Sequence, residues 1–216
     1  MLKYDRRTRS LATGFSCVAG YVDSIGFLMT GGFFVSFMSG NSTRLGIGIA
    51  EGSSSAGFAA LLLVTFVAGV MLGALVGRMG RSYRQVAVLT LVTVLLAAAL
   101  VLDRLGAGHL TAVPMVLAMG AENTVFSEDG EVRIGLTYMT GTLVKLGKRL
   151  TSALLGGDRT GWVPFLMLWL GLVSGAVAGA LAYGRFGMTA LAGAVVAMAI
   201  LAVLMLAAGP DMREPH

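Results

Sequence analysis

Six long apolar stretches alternate with short polar segments along the chain, and they predict membrane-spanning helices. An α-helix needs about 20 predominantly apolar residues to cross the ~30 Å hydrocarbon core of a bilayer, and each stretch is close to that length. The predicted spans are residues 11–30, 57–77, 85–103, 109–126, 161–184 and 187–208. The pattern therefore predicts an all-α integral membrane protein in which residues 1–216 form a single membrane domain.

Composition supports this class and excludes several others. Hydrophobic residues make up 56% of the chain and charged residues 12%, whereas soluble domains carry about 25% charged residues. Cys17 is the single cysteine, so neither an intrachain disulfide nor a cysteine-based metal site can form. The formal charge of +5 comes from basic residues at the predicted span ends, which indicates membrane topology rather than nucleic-acid binding. We expect no cofactor and no metal ion.

The distribution of Lys and Arg predicts the orientation in the membrane. With the N-terminus inside and six spans, 13 of the 16 basic residues fall on the inner side and 3 on the outer side. Cytoplasmic loops carry such an excess, so we expect both termini in the cytoplasm. An eight-span alternative leaves a weaker 10 to 6 division. The first stretch follows basic residues as a signal peptide does, but without a small-residue cleavage site we expect it to be retained.

A polar motif occurs twice, at residues 36–46 and 137–147. The copies read SFMSGNSTRLG and TYMTGTLVKLG. Both combine hydroxyl residues, an aromatic residue, Met, a central Gly and a basic residue before Leu-Gly. Because each half of an otherwise apolar chain contains one copy, the motif predicts two repeats and is the first candidate for function.

Further matches extend the duplication to the whole chain. Residues 19–27 align with residues 118–126, and the triad Gly69, Gly73 and Gly77 recurs as Gly171, Gly175 and Gly179. We place repeat one at residues 1–104 and repeat two at residues 105–216. Three spans per repeat reverse the direction of entry, which predicts inverted-topology repeats. Glycines four residues apart share a helix face and allow close helix packing.

Two acidic residues occupy aligned positions within predicted spans, Asp23 in the first and Glu122 in the fourth. An acidic residue near the bilayer centre costs roughly 2.5–3.5 kcal/mol on insertion scales, so we expect these carboxyl groups to have a role. Burial favours the protonated form, which would allow either group to load and release a proton. The alternative is a structural acid that is hydrogen-bonded to a neighbour such as Ser24 or Asn123.

The two motifs are predicted to be re-entrant or broken helices. Gly31 and Gly32 precede the first copy, and Gly130 and Gly135 precede the second, so the chain can break there. We expect Ser39 or Asn41, and Thr140 or Thr142, to cap the helix that follows. Free N–H groups at such helix starts attract anionic groups, although the motifs could equally serve only capping and packing. The predicted binding or coupling residues are Asp23, Ser39, Gly40, Asn41, Ser42, Thr43, Arg44, Glu122, Asn123, Thr140, Gly141, Thr142 and Lys145.

The motif residues carry a family resemblance. Residues 19–23 (AGYVD), 34–46 (FVSFMSGNSTRLG) and 137–143 (TYMTGTL) resemble the YoaK-like bacterial membrane proteins, a family of unknown function. The resemblance extends over nearly the whole chain. It implies a bacterial inner-membrane location and about six spans, but no substrate.

These features favour a small secondary transporter with a central site between the repeats, optionally proton-coupled, of unknown substrate. The alternatives are a channel or facilitator, and a non-transporting membrane scaffold or sensor. We expect no enzyme, because the chain lacks a nucleophile elbow, a phosphate-binding loop and metal-ligand spacing. The expected partners are the lipid bilayer, a small solute or ion including H⁺, and a second copy of the chain in a homodimer.

Overall fold

The protein is described by a computed structural model that covers residues 6–128, 131–132 and 137–208, with side chains described for 9–126 and 137–207. These residues form eight α-helices. Their bounds are α1 Arg6–Met29, α2 Met38–Ala50, α3 Ser55–Met79, α4 Arg84–Arg104, α5 Ala112–Glu122, α6 Met139–Leu154, α7 Val163–Phe186 and α8 Leu191–Ala208. Short 3-10 helices at Arg81–Tyr83, Gly108–Thr111 and Gly187–Ala190 precede α4, α5 and α8.

A two-residue strand pair interrupts the helices. Strand β1 (Ser127–Glu128) pairs antiparallel with β2 (Glu131–Val132), and Ser127 lies opposite Val132. The pair belongs to the connection from α5 to α6. It leaves the predominantly helical class, predicted from hydropathy, unchanged.

Four helical stretches in the described part of the chain have the length and hydropathy of a membrane span. They are Arg9–Met29, Ser55–Met79, Arg81–Arg104 and Val163–Ala207. The last stretch contains both α7 and α8. The two helices are separated at Gly187, whose φ of +57° suits glycine. The predicted all-α membrane class therefore agrees with the structure.

One predicted boundary was wrong. The fourth span was expected to continue to residue 126, but α5 ends at Glu122. The Asn123 amide donates to the Met119 carbonyl at 2.8 Å, and the Thr124 hydroxyl donates to the Ala121 carbonyl at 2.8 Å. Such side-chain bonds to nearby backbone compete with the helix, which explains the early end.

Two glycines of the first triad join α3 to α5, whereas the third, Gly77, lies against Arg84 and Val88 of α4. A Cβ on Gly73 would lie 2.8 Å from the Ala121 Cα, and one on Gly69 would lie 2.9 Å from the Leu117 Cα. Both distances are too short for a side chain, so the two backbones are in direct contact. The contact positions advance together along both helices, which makes α3 and α5 parallel.

The second glycine triad joins α7 to α1 in the same manner. Gly171 meets Thr13, Gly175 meets Cys17 and Gly179 meets Tyr21, so this pair is also parallel. The Ser16 hydroxyl donates to the Leu168 carbonyl at 3.0 Å within the interface. The predicted role of the triads in close helix packing is confirmed.

A common apolar core joins these helix pairs. Its fully buried members include Phe15 on α1, Leu89 and Leu96 on α4, Met115 on α5 and Met198 on α8. The Phe15 and Phe126 rings pack edge to face with centroids 5.6 Å apart. Since Phe15 lies in the first half of α1 and Phe126 lies beyond the end of α5, this contact indicates that α1 and α5 run in opposite directions.

Candidate functional site

The chain reverses direction immediately after α1. Gly31 and Gly32 adopt φ values of +69° and +115°, which side chains other than glycine disfavour. The Thr30 hydroxyl bridges the turn: its oxygen lies 2.8 Å from both the Gly26 and the Phe33 carbonyls, to either of which its one proton can be donated, and it accepts the Phe33 N–H at 3.0 Å. The break that was predicted at the glycine pair is confirmed.

The segment after this turn runs back along α1. The Phe27 and Phe34 rings lie 4.7 Å apart, and Val35 packs against Gly26. Ser36, one residue further, reaches Asp23. Asp23 precedes the last residue of α1 by six positions, so this fold-back extends about 9 Å along the helix.

Asp23 holds the end of the fold-back in place. Its Oδ1 atom accepts hydrogen bonds from the Val35 N–H at 2.9 Å and the Ser36 N–H at 2.7 Å. Val35 and Ser36 are buried, and Asp23 is half-buried. Two backbone donors already satisfy this oxygen, which is the structural alternative that the sequence left open. The donors are Val35 and Ser36, however, and not the Ser24 neighbour that was named; the Ser24 hydroxyl donates to the Tyr21 carbonyl at 3.0 Å.

Helix α2 returns alongside the fold-back. The Asn41 amide donates to the Phe34 carbonyl at 2.7 Å, and its Oδ1 accepts the Phe34 N–H at 3.0 Å. Asn41 is fully buried, and the paired bonds fix α2 to the segment before it. Phe33 also packs on Phe58 in the first turns of α3, with centroids 5.0 Å apart. The chain therefore enters and leaves this hairpin at the same end of the helices.

Arg44 closes the hairpin. Its guanidinium carbon lies 5.0 Å from the Phe33 ring centroid and 5.9 Å from that of Phe27, within the range of a cation–π contact. The guanidinium also lies beside Gly32. Sequence reasoning identified the cation but missed its aromatic partners, which the spacing of Phe27, Phe33 and Arg44 alone does not bring together.

The predicted helix caps were wrong. Helix α2 begins at Met38 after Phe37, and α6 begins at Met139 after Tyr138; neither start has a side-chain cap. The hydroxyls of Ser42, Thr43 and Thr142 instead donate to the carbonyls four residues earlier in the chain. Ser39 and Thr140 are exposed. Hydroxyl residues can bond back along a helix as readily as they cap it, and here they do so.

The central Gly of each motif packs under the aromatic residue three positions earlier. A Cβ on Gly40 would lie 2.6 Å from the Phe37 ring, and one on Gly141 would overlap the Tyr138 ring. The shared aromatic-x-x-Gly spacing therefore marks how each helix begins. This spacing is visible in the sequence, but it was interpreted there only as a repeat signature.

Glu122 differs from Asp23 in its surroundings. It is fully buried, and no hydrogen-bond donor among the described residues reaches either of its carboxylate oxygens. It shares a face of α5 with Met115 and Ala118, both fully buried, opposite the face that packs on α3. Burying an ionised carboxylate without a partner is costly, so this site favours the neutral form.

The second motif approaches Asn123 rather than Glu122. The Thr137 hydroxyl donates to the Asn123 Oδ1 at 3.0 Å. In the first copy the aligned Ser36 bonds to the acid itself. Lys145, aligned with Arg44, is exposed. The predicted break at Gly130 and Gly135 lies outside the described residues.

The two acids also differ in their positions relative to the glycine triads. Asp23 follows Tyr21, which contacts the third glycine of its triad, Gly179; Glu122 follows Ala121, which contacts the second glycine of its triad, Gly73. Counted from the residue at the second glycine of each triad, Asp23 lies six positions beyond Cys17 and Glu122 one position beyond Ala121, so the acids are displaced by five residues, about one and a half helical turns, from strict equivalence. No group of three His, Cys, Asp or Glu side chains suited to a metal ion occurs within the described part of the chain.

Comparisons with known proteins agree with this membrane architecture. Residues 11–204 match the model of a family described as "Protein of unknown function (DUF1275)". Over 187 residues the chain is 36% identical to "UPF0700 transmembrane protein RA0705" of Rhizobium meliloti (strain 1021), an alignment that covers 84% of this chain and 79% of that protein. No solved structure matches the chain.

Proposed function

The chain belongs to the DUF1275 family of transmembrane proteins, and from that premise we propose that it is a small secondary transporter of the bacterial inner membrane. Its two halves would enclose a central site, and Glu122 would be the proton-binding carboxyl of that site. The observation that carries the proposal is the full burial of this carboxyl without a hydrogen-bond donor among the described residues.

The helix arrangement supports six spans in two inverted halves. The segments Gly108–Glu122 and Gly187–Ala208 would complete the four apolar stretches as further spans. The pair α1–α7 corresponds to the pair α5–α3 when the halves are exchanged, and each pair is parallel and packs through glycines of a triad, three in α7 and two in α3. The opposite directions of α1 and α5, inferred from the Phe15–Phe126 contact, fit inverted repeats better than eight full spans.

The hairpin at residues 30–50 supports a re-entrant element in the first half. Its two arms are held together by the Asn41–Phe34 bonds and by Arg44 on Phe33. Irregular backbone at membrane depth is tolerated where it is buried in protein or lines a cavity. We propose that α6, which begins at Met139 close to the Thr137–Asn123 bond, is the returning arm of the corresponding element in the second half. We also propose that the N-terminus and the C-terminus lie in the cytoplasm.

An unpaired buried carboxyl is suited to proton coupling. An ionisable group within a membrane domain is by default a functional candidate because its burial is costly. The Glu122 carboxylate could take up a proton from one side, stay buried as the neutral acid, and release the proton when the halves rearrange and water reaches it. The proposal assigns Asp23 a structural role, because its Oδ1 is already held by two N–H groups. It includes no enzymatic step.

Proton flux into proteoliposomes tests the proposal. Purified protein is reconstituted with a trapped pH-sensitive dye, and panels of zwitterionic, anionic and cationic small metabolites are added outside. We expect at least one panel to drive saturable proton flux that Glu122→Gln abolishes and Asp23→Asn retains.

Three outcomes separate the alternatives. Solute-driven flux that persists in Glu122→Gln would reject this residue as the coupling group. Solute movement that does not saturate and needs no proton gradient would favour a channel. If no panel moves protons and a cysteine introduced at position 122 resists aqueous thiol reagents, the protein is a scaffold rather than a transporter.

A further inference from the structure

Helix α6 has an exposed surface of apolar and basic residues that the proposed transport site does not use. The helix packs on α7, and the least exposed positions along it include buried Thr142 and half-buried Leu146. The opposite side is exposed and combines large apolar residues with lysines. Its members are Leu143, Val144, Lys145, Lys148, Leu150 and Leu154, and Leu154 is 87% exposed.

The connection that follows α6 marks the depth of this surface. Trp162 immediately precedes α7, and its indole N–H donates to the Arg159 carbonyl at 2.8 Å. A tryptophan at the start of an apolar span is typical of the membrane–water interface. Because only residues 155–162 separate α6 from α7, the C-terminal end of α6 lies close to that interface.

Charge around the same connection is mainly positive. Arg159 is exposed and adds to Lys145 and Lys148. The one acid there, Asp158, accepts hydrogen bonds from the N–H groups of Thr160 at 3.0 Å and Gly161 at 3.2 Å. The Thr160 N–H lowers the pKa of Asp158, and the charge of Arg149 lowers it further. This acid is committed to its own loop and leaves the two lysines free to face another anion.

We propose that α6 lies in the membrane interface and binds anionic phospholipid headgroups through Lys145 and Lys148, at the leaflet where α7 begins. Leu143, Val144 and Leu154 would enter the adjoining acyl region. An amphipathic helix with basic residues beside an apolar face binds in this manner, and headgroup attraction adds to the apolar contact. The inference stands independently of the coupling role proposed for Glu122.

Lipid binding to the full-length protein tests the inference directly. The detergent-purified protein is titrated with phosphatidylglycerol or phosphatidylcholine, and bound lipids are counted by native mass spectrometry. We expect the double variant Lys145→Gln/Lys148→Gln to lose phosphatidylglycerol affinity by ~30-fold, because each basic residue near an anionic surface contributes a factor of about five. Its affinity for phosphatidylcholine should not change.

A matched control removes two exposed cations from the other end of the helices. Arg104→Gln/Arg185→Gln deletes the same charge at the ends of α4 and α7 and should keep most of the phosphatidylglycerol affinity. Equal losses in both double variants, or no loss in the lysine variant, would overturn the inference. So would displacement of the lipid by excess inorganic phosphate, which would identify a site for free anions.

A second measurement examines the apolar side without removing charge. A fluorescent label is placed on Leu154→Cys in a Cys17→Ser background, and the protein is reconstituted in nanodiscs. Nitroxide-bearing lipids labelled near the headgroup should quench this label strongly, while aqueous iodide quenches it weakly. The reverse pattern would mean that α6 projects into water, and the interfacial position would be rejected.

Discussion

The Ser36 N–H donates to the Asp23 carboxylate at 2.7 Å, across 13 residues of chain. The bond joins the last third of α1 to the first residue of the motif. Together with the Val35 N–H, it determines how far the fold-back reaches before α2 begins. Asp23, which the sequence presented as a candidate coupling group, is thus the anchor of a hairpin.

Removing this anchor should destabilise the protein. Asp23→Ala leaves two buried N–H groups without an acceptor, and each unsatisfied group costs about 1–3 kcal/mol. Asp23→Asn keeps an acceptor oxygen and should cost less than half as much. Thermal unfolding in detergent measures both. Ser24→Ala serves as the control because it removes only a local bond to the Tyr21 carbonyl; a similar loss in Ser24→Ala and Asp23→Ala would contradict the anchoring role.

Replacing Glu122 should have the opposite effect on stability. Its carboxylate is buried beside apolar neighbours without a donor among the described residues. A buried polar group without a hydrogen-bond partner costs about 1–3 kcal/mol, so Glu122→Met, which puts an apolar side chain of similar volume in its place, should raise the unfolding temperature and abolish proton flux. Thr111→Val is a control, since the Thr111 hydroxyl is likewise buried and unpaired. A marked loss of stability in Glu122→Met would reveal a partner for this carboxyl.

Hydropathy and composition predicted the membrane class and the positions of most helices, and the four-residue glycine spacing predicted the close packing at the triads. These features depend on the local composition of each segment, which sequence reports directly. The sequence could not distinguish the roles of Asp23 and Glu122, because the two residues occupy aligned positions in the two repeats. Their roles differ because backbone N–H groups of the described residues reach the carboxylate of Asp23 and not that of Glu122. That depends on how the segments after α1 and α5 fold.

The starts of α2 and α6 were also mispredicted from sequence, because they too depend on contacts between residues. Ser39, Asn41, Thr140 and Thr142 are residue types that favour caps, yet Phe37 and Tyr138 precede the helices. Packing of each aromatic ring over the glycine three positions later outweighs the local capping preference. Such packing is a tertiary effect that no single-residue preference contains.

Close contact at the glycine triads makes a sharp prediction. A Cβ on Gly175 would overlap the Cys17 carbonyl oxygen, and one on Gly73 would lie 2.6 Å from the Thr124 hydroxyl. Either Gly→Ala change should force its helix pair apart and cost about 1–3 kcal/mol or more. Gly184, also on α7, has nothing within 4 Å of its Cβ position, so Gly184→Ala should be neutral or slightly stabilising. Equal unfolding temperatures for Gly175→Ala and Gly184→Ala would show that the backbones are not in contact.

The aligned cations Arg44 and Lys145 should differ in their effect on stability. Arg44 lies over the Phe33 and Phe27 rings, and such contacts contribute about 0.5–2 kcal/mol depending on desolvation. Arg44→Gln should therefore lower the unfolding temperature and speed amide hydrogen exchange at Phe34, Val35 and Ser36, because the hairpin opens more often. Lys145→Gln, which removes an exposed cation, should leave both unchanged in detergent without anionic lipid. Faster exchange in both variants would mean that loss of charge, and not the aromatic contact of Arg44, loosens the hairpin.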